Sequence, residues 1–244
     1  MAAREILLIG STGGAGALAQ IAAGGDAGEA AASGLAPAGV VAVTRLASEV
    51  WQRRQERAGR ALQAAADTLD VGLDILEERA QSHDARLELL ARVLEAAART
   101  PLDQKVRALG RVLAHGLPND PPGGEHEPDP LTEAFALAGA LDDMEEPHIT
   151  VLGYIAEHPN SNVDTGPEGI KPLPGWGVDA LRDAMPALET TVGAIVSTLA
   201  GHGLLRDVTY GGYGGPRQRW EVAELGRRCL WMLDWDPARS DDET

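Results

Sequence analysis

The sequence predicts a mostly α-helical protein with one small β-hairpin near its C-terminus. Apolar residues recur at helical spacing along most of the 244 residues. Aromatic residues make up only 4% of the chain while alanine is abundant, which favours helices packed on helices through small side chains. Short stretches of β-branched and aromatic residues flank a glycine-rich turn near the C-terminus. A chain of this length, 44% hydrophobic, can form two small domains.

Residues 1–36 predict a flexible arm rich in glycine and alanine. Twenty uncharged residues lie between Glu5 and Asp26, and six of them are glycine. Three alternatives for this stretch are a membrane span, a cleaved signal peptide and a phosphate-binding turn at Gly13–Gly16. Few of the residues are large and apolar, the leader has no net positive side-chain charge, and the glycines do not follow the dinucleotide fingerprint. We therefore expect neither a membrane protein nor a nucleotide site.

Residues 37–117 predict a helical bundle used for self-association. A long helix is expected from Pro37 to about Ala80, because no strong helix breaker interrupts it and Leu62, Leu69 and Leu76 are spaced seven apart. Arginines crowd its first half and carboxylates its second half, which would suit antiparallel pairing with a second copy of the chain. A solvated helix face is the alternative. Trp51 among arginines is also compatible with contact to phosphate or lipid headgroups.

Two further helices complete the predicted bundle. The first is expected to begin after Ser82 or Asp84, either of which can cap it, and to run to about Arg99. The second is expected to begin at Thr100-Pro101 and to end at Gly116. Three successive helices joined by short turns predict a helical bundle.

A linker is predicted at residues 118–130, which are rich in proline, glycine and acids and contain no large apolar residue. Helices are expected to resume at Asp129-Pro130 and at Pro147, followed by a long loop at 160–175 and a short helix at 176–185. Residues 131–235 are assigned to a second domain and residues 236–244 to an acidic tail.

The C-terminal stretch predicts a helix, a hairpin and a last helix. Leu188, Val192, Ile195 and Leu199 form one apolar stripe at helical spacing. Residues 204–210 and 219–223 are expected to be strands on either side of a turn at 211–216, and the last helix is expected over 224–233.

This order of elements resembles the winged helix-turn-helix domain of MarR-type regulators. The resemblance covers about residues 147–233 and includes the "GLL" that begins at Gly203 and the "LGRR" that begins at Leu225. It implies a dimeric DNA-binding transcriptional regulator whose second long helix enters the major groove and whose wing contacts phosphate. The DNA-contacting residues that it implies are Glu189, Thr190, Thr191, Ser197, Arg217, Gln218 and Arg219.

Charge supports a second hypothesis. The net charge is −16, and the helix that would read DNA contains no lysine or arginine. Few arginines remain for phosphate contacts, whereas tight DNA binding typically needs several. The alternative is therefore a protein-interaction module in which the neutral helix and an aromatic hairpin form the contact surface. The aromatic residues expected there are Tyr210, Tyr213 and Trp220.

No catalytic motif stands out, so we expect a non-enzymatic cytoplasmic protein without cofactor or metal. The six histidines are scattered without metal-ligand spacing. Glu145, Glu146 and His148 could bring two carboxylates near an imidazole, but a solvated acidic helix end is the favoured interpretation. Residues 125–127 lie in the linker, where nothing preorganises them. Cys229 is the only cysteine, which excludes an intrachain disulfide and suits a core position.

Overall fold

The computed structural model describes residues 37–118, 129–159, 174–209 and 218–235. These residues form nine α-helices and two short strands, which confirms the prediction of a mostly helical protein with a small hairpin. The helices are α1 (Pro37–Leu69), α2 (Leu73–Gln81), α3 (Asp84–Arg99), α4 (Asp103–Gly116), α5 (Pro130–Asp143), α6 (Glu146–Glu157), α7 (Val178–Ala184), α8 (Val192–Gly201) and α9 (Glu224–Met232); the strands are β1 (Leu205–Asp207) and β2 (Trp220–Val222).

Helix α1 is shorter than the sequence predicts. It ends at Leu69 and not near Ala80, because Asp70 takes a left-handed conformation with φ of 53° and the extended Gly72 precedes α2. Leu76 therefore lies in α2, where it is buried, and the predicted seven-residue seam is not one continuous helix. The chain divides into two compact units between Gln55 and Glu56, within α1. In the first unit, Val50 and Trp51 are exposed.

The second unit is built around α3, α4 and α5, which pack against one another. Leu89 and Val93 of α3, Leu109 of α4 and Leu137 of α5 are fully buried. Gly110 lets α4 approach α1 closely, because a Cβ atom there would collide with the backbone carbonyl of Ala61. Small residues therefore set the spacing of these helices, as the composition indicates.

The ends of α3 and α4 differ slightly from the expected ones. His83 caps α3, since its Nδ1 accepts a hydrogen bond from the Ala85 amide at 3.2 Å. Helix α4 begins at Asp103, because Thr100 is extended and its hydroxyl accepts from the Leu102 amide at 3.3 Å. The predicted helical region is thus correct, but Thr100 stabilises the turn before the helix and is not its cap.

Helix α5 belongs to the same packed body as α3 and α4. The sequence predicts that this helix belongs to the C-terminal domain, beyond a linker at 118–130. Residues 119–128 of that linker lie outside the described residues. Lys105 of α4 is buried, and its Nζ donates to the carbonyl oxygens of Asp142, at 3.0 Å, and Met144, at 2.6 Å. These bonds stabilise the C-terminus of α5, where carbonyl groups lack partners within the helix.

The C-terminal elements pack on the same body. Arg111 and Gln104 of α4 donate to the carbonyl oxygens of Met232 and Leu233 at the end of α9. Arg228 of α9 donates to Glu133 Oε2 of α5 at 3.0 Å. Within the described part of the chain, no helix combines the length and apolar character needed to cross a membrane.

Candidate functional site

The part of the chain that bears the predicted contact residues is the C-terminal module, which we define as the described residues of 146–235. Helix α8 packs against α6, α7 and β1. Val192, Ile195 and Leu199 are buried in these contacts, as their spacing predicts. The opposite side of α8 is exposed and carries Ala194 and Ser197.

Helix α8 begins later than the sequence predicts. Pro186–Leu188 form a separate turn of 3₁₀-helix, and residues 189–191 are turns before α8 begins at Val192. Proline fits the first position of a new helical turn, so it separates this segment from α7. Consequently Thr190 and Thr191 lie in the turn that precedes α8 and not on its groove-facing side.

The two strands form an antiparallel hairpin in which Arg206 pairs with Glu221. Trp176 adds a third extended segment on the other side of β2. Its amide donates to the Trp220 carbonyl at 2.8 Å, and the Trp220 amide donates back to the Trp176 carbonyl at 2.9 Å. The sequence predicts a helix that includes Trp176, whereas α7 begins at Val178 because the reciprocal bonds keep Trp176 extended.

Arg219 does not occupy the position expected of a phosphate-contacting side chain. It is 5% exposed, and its guanidinium donates to the carbonyl oxygens of Pro174 and Gly175 at distances from 2.7 to 3.2 Å. Gly175 has a φ of 75°, a left-handed conformation that glycine adopts without strain. The expectation that Arg219 contacts DNA is corrected accordingly: this side chain holds the segment before α7 against β2.

The other predicted residues divide into exposed, internally bonded and undescribed positions. Gln218 is exposed, but its amide nitrogen donates to Asp207 Oδ2 at 3.1 Å. The hydroxyls of Thr191 and Ser197 donate to the backbone carbonyls of Leu188 and Gly193. Glu189 and Thr190 are exposed, and Trp220 is half-buried. Tyr210, Tyr213 and Arg217 lie outside the described residues.

The charged groups of this surface are predominantly acidic. Residues 174–209 and 218–223 contain five acids and three arginines. Arg182 Nη1 lies 2.6 Å from Asp179 Oδ1, and Arg206 Nη2 lies 2.8 Å from Glu221 Oε2. Hydrogen bonds from the Thr209 hydroxyl and from Gln218 keep the pKa of Asp207 below its ordinary value. Asp207 therefore remains a carboxylate beside the hairpin.

His148, His202 and Cys229 make contacts within the fold that explain their positions without a ligand. His148 Nδ1 accepts from the Glu145 amide at 3.1 Å, and burial is the main cause of its lowered pKa. His202 Nε2 lies 3.1 Å from Asp143 Oδ2. Among residues with described positions, no group of three or more histidine, cysteine or acidic side chains could hold a metal ion. Burial raises the pKa of the Cys229 thiol to about 12, so the thiol stays protonated and unreactive.

Comparisons with models of known protein families, with curated proteins and with solved structures gave no match. The feature that sequence reasoning missed is the burial of Arg219. Gly175 was the available signal, because glycine permits the positive φ with which the chain passes this point.

Proposed function

We propose that the C-terminal module is a winged helix-type, non-enzymatic module that binds a protein partner through the exposed side of α8 and the adjoining hairpin. The order α6, Trp176, α7, α8, β1, β2 and α9 supports the winged-helix assignment, because a helix pair is followed by a hairpin and a closing helix. Trp176 supports it further by extending the two-stranded sheet.

The burial of Arg219 is the observation that carries the choice of a protein partner. Each described arginine of the module donates to a carboxylate or a backbone carbonyl; these residues are Arg182, Arg206, Arg219, Arg227 and Arg228. A DNA-binding surface needs cations that can exchange their counterions for phosphate. A neutral helix face bordered by carboxylates is better suited to a protein surface.

No large side chain obstructs the exposed side of α8 at Ala194 and Ser197. Ala194 and Ser197 are short side chains on the exposed side of the helix, so a partner can approach the backbone closely. An apolar groove of about 420 Å³ lies nearby, between the start of α6 and the 3₁₀ segment, and Pro147, Met185 and Leu188 line part of it. Such a groove can accept an apolar side chain of a partner.

A second candidate function is a DNA-binding transcriptional regulator. The exposed hydroxyl-bearing residues Thr190, Thr191 and Ser197 near the start of α8 favour it, since hydroxyls contact both bases and phosphates. Under this alternative, Arg217 and Gln218 would be the wing contacts. The acidic surroundings of α8 oppose it, because they repel the phosphate backbone.

A photo-cross-linking amino acid at position 197 tests the proposal in the cell that makes this chain. We expect covalent adducts with another protein, and we expect Ala194→Arg to reduce them by placing a long charged side chain in the contact. The same probe at Ala136, an exposed residue of α5 outside both proposed interaction regions, is the matched control. Adducts with DNA, or adducts no more abundant than those at position 136, would contradict the proposal.

We also infer that residues 37–117 mediate self-association. The support is that five of the six exposed large hydrophobic side chains in the described part of the chain lie between Val50 and Leu87. Val50 and Trp51 are neighbours on α1, and adjoining large apolar side chains that stay exposed are typical of interaction surfaces.

A further inference from the structure

Two surfaces of the helical region have opposite charge and are both partly apolar. The basic surface consists of Val50, Trp51, Arg53 and Arg54 on α1. All four residues are exposed, and spacings of three and four residues connect them along one side of the helix. Val50 is 52% exposed and Trp51 44% exposed.

The acidic surface consists of Leu73, Asp74, Ile75 and Glu78 on α2. Asp74 and Glu78 are one helical turn apart, and Leu73 and Ile75 flank them on opposite sides. Leu73 is 43% exposed and Ile75 is 38% exposed. The two surfaces thus offer the same kind of contact, a pair of large apolar side chains beside a pair of like charges, with the signs reversed.

The charges on both surfaces are available for a partner. No ion pair involves Arg53, Arg54, Asp74 or Glu78 among the residues whose positions are described. Other arginines of α1 are engaged: Arg57 donates to the carbonyl oxygens of Ala98 and Thr100, and Arg60 Nη1 lies 2.7 Å from Asp103 Oδ1. Arg53 and Arg54 of the basic surface, unlike Arg57 and Arg60, make no such bond with a described residue.

We propose that a second copy of this chain covers both surfaces: the basic surface of each protomer docks on the acidic surface of its partner. The proposal deepens the self-association inferred above and rests on it. Two identical contacts related by a two-fold axis form a closed dimer. Burial of the four apolar side chains supplies most of the attraction. Attraction between arginines and carboxylates favours basic-on-acidic docking, because basic-on-basic or acidic-on-acidic docking would place like charges together.

Sedimentation equilibrium of the full chain tests the proposal. We expect a species of twice the 25.6 kDa chain mass at micromolar concentration. Trp51→Glu should raise the dimer dissociation constant at least about tenfold, because it places a carboxylate in the apolar part of the contact. Trp231→Glu is the matched control: Trp231 is 69% exposed but lies on α9, outside both surfaces, so this variant should dimerise normally.

Charge reversal separates this pairing from other modes of association. The variant Arg53→Glu with Arg54→Glu and the variant Asp74→Arg with Glu78→Arg should each weaken the dimer at least about tenfold. Combining all four substitutions should restore it, because the pairs are then reversed in sign but still complementary.

The possible outcomes separate failure of self-association from failure of the proposed pairing of surfaces. A chain that stays monomeric at about 100 μM overturns self-association and the surface pairing together. A dimer that is unaffected by Trp51→Glu, or one weakened by both reversals and not restored by their combination, overturns only the pairing of these surfaces. A series of growing oligomers overturns the closed two-fold arrangement.

Discussion

The guanidinium of Arg219 donates to the carbonyl oxygen of Gly175 from two nitrogens, at 2.7 Å from Nη2 and 3.2 Å from Nε. This relationship joins the strand that closes the hairpin to the segment that leads into α7. Arg219, which the sequence places in the basic wing, is therefore buried. This burial removes one of the few cations that a DNA-binding interpretation requires.

Replacing Arg219 should therefore affect folding and not DNA affinity. Arg219→Ala should lower the free energy of unfolding by about 2 to 4 kcal/mol, because buried carbonyl groups lose charged donors. Arg219→Lys should lose less, since an ammonium retains the charge without the planar fork. Urea denaturation measures both. Arg182→Ala removes only an exposed ion pair and should cost less than about 1 kcal/mol; an equal or larger loss there would contradict the assigned role of Arg219.

The contact between α1 and α4 should depend on the absence of a side chain at position 110. Gly110→Ala should destabilise the protein by about 1 to 3 kcal/mol, because the new methyl group meets the backbone of Ala61, which cannot move independently. Gly59→Ala is the matched control within a helix: a methyl group there would have no neighbouring atom within 4 Å, so we expect a gain of up to about 1 kcal/mol. Thermal melts of the two variants that shifted in the same direction would refute the close packing.

Removal of the Lys105 side chain should destabilise the protein, although the side chain ends in a polar group. Lys105→Ala should lower the free energy of unfolding by about 3 kcal/mol, because it leaves a cavity and two carbonyl groups of the α5 terminus without their donor. Lys105→Met fills the volume and should lose less. Burial lowers the pKa of Lys105 from 10.5, so the unfolded chain binds its proton more strongly. Wild-type stability should accordingly rise, relative to Lys105→Met, as the pH approaches 10.5.

His148 should make the protein sensitive to mild acid. Its pKa is lowered, mainly by burial and also by the nearby Lys105 and His202, while Glu145 acts in the opposite direction. The unfolded chain therefore takes up this proton first as the pH falls below 6.5. The stabilisation that His148 provides is present above 6.5 and is lost as the pH falls through its folded pKa.

The variant His148→Gln isolates this effect, because glutamine keeps a side-chain acceptor for the Glu145 amide at any pH. Urea denaturation at about pH 7.5 and about pH 5 should show a larger loss for the wild type than for the variant. Equal losses in the two proteins would show that His148 is not the group responsible.

The sequence was sufficient to predict most helices and the position of the hairpin. Helical spacing of apolar residues correctly predicted α3, α4 and the buried side of α8, although α8 begins only at Val192. The two predicted strands enclose β1 and β2, which are shorter than predicted. These features depend on local periodicity and local backbone preference, so a single sequence contains them.

The remaining features depend on partners far apart in the chain. Lys105 and Arg219 are polar and would be expected at the surface, yet carbonyl groups 37 or more residues away accommodate them in the interior. The break after Leu69 depends on one left-handed residue, Asp70, which apolar spacing does not reveal. Contacts between residues distant in sequence also decide which arginines are buried, so the number of arginines does not predict how many cations are exposed.

The most direct measurement of the central claim is retention of DNA by the full chain at low salt, where phosphate contacts are strongest. Fluorescence anisotropy with genomic fragments at about 50 mM and about 200 mM salt compares the two conditions. A protein-binding module with its arginines already engaged predicts no retention at either concentration. Retention at the lower concentration that falls steeply at the higher one would contradict this account and favour the DNA-binding regulator.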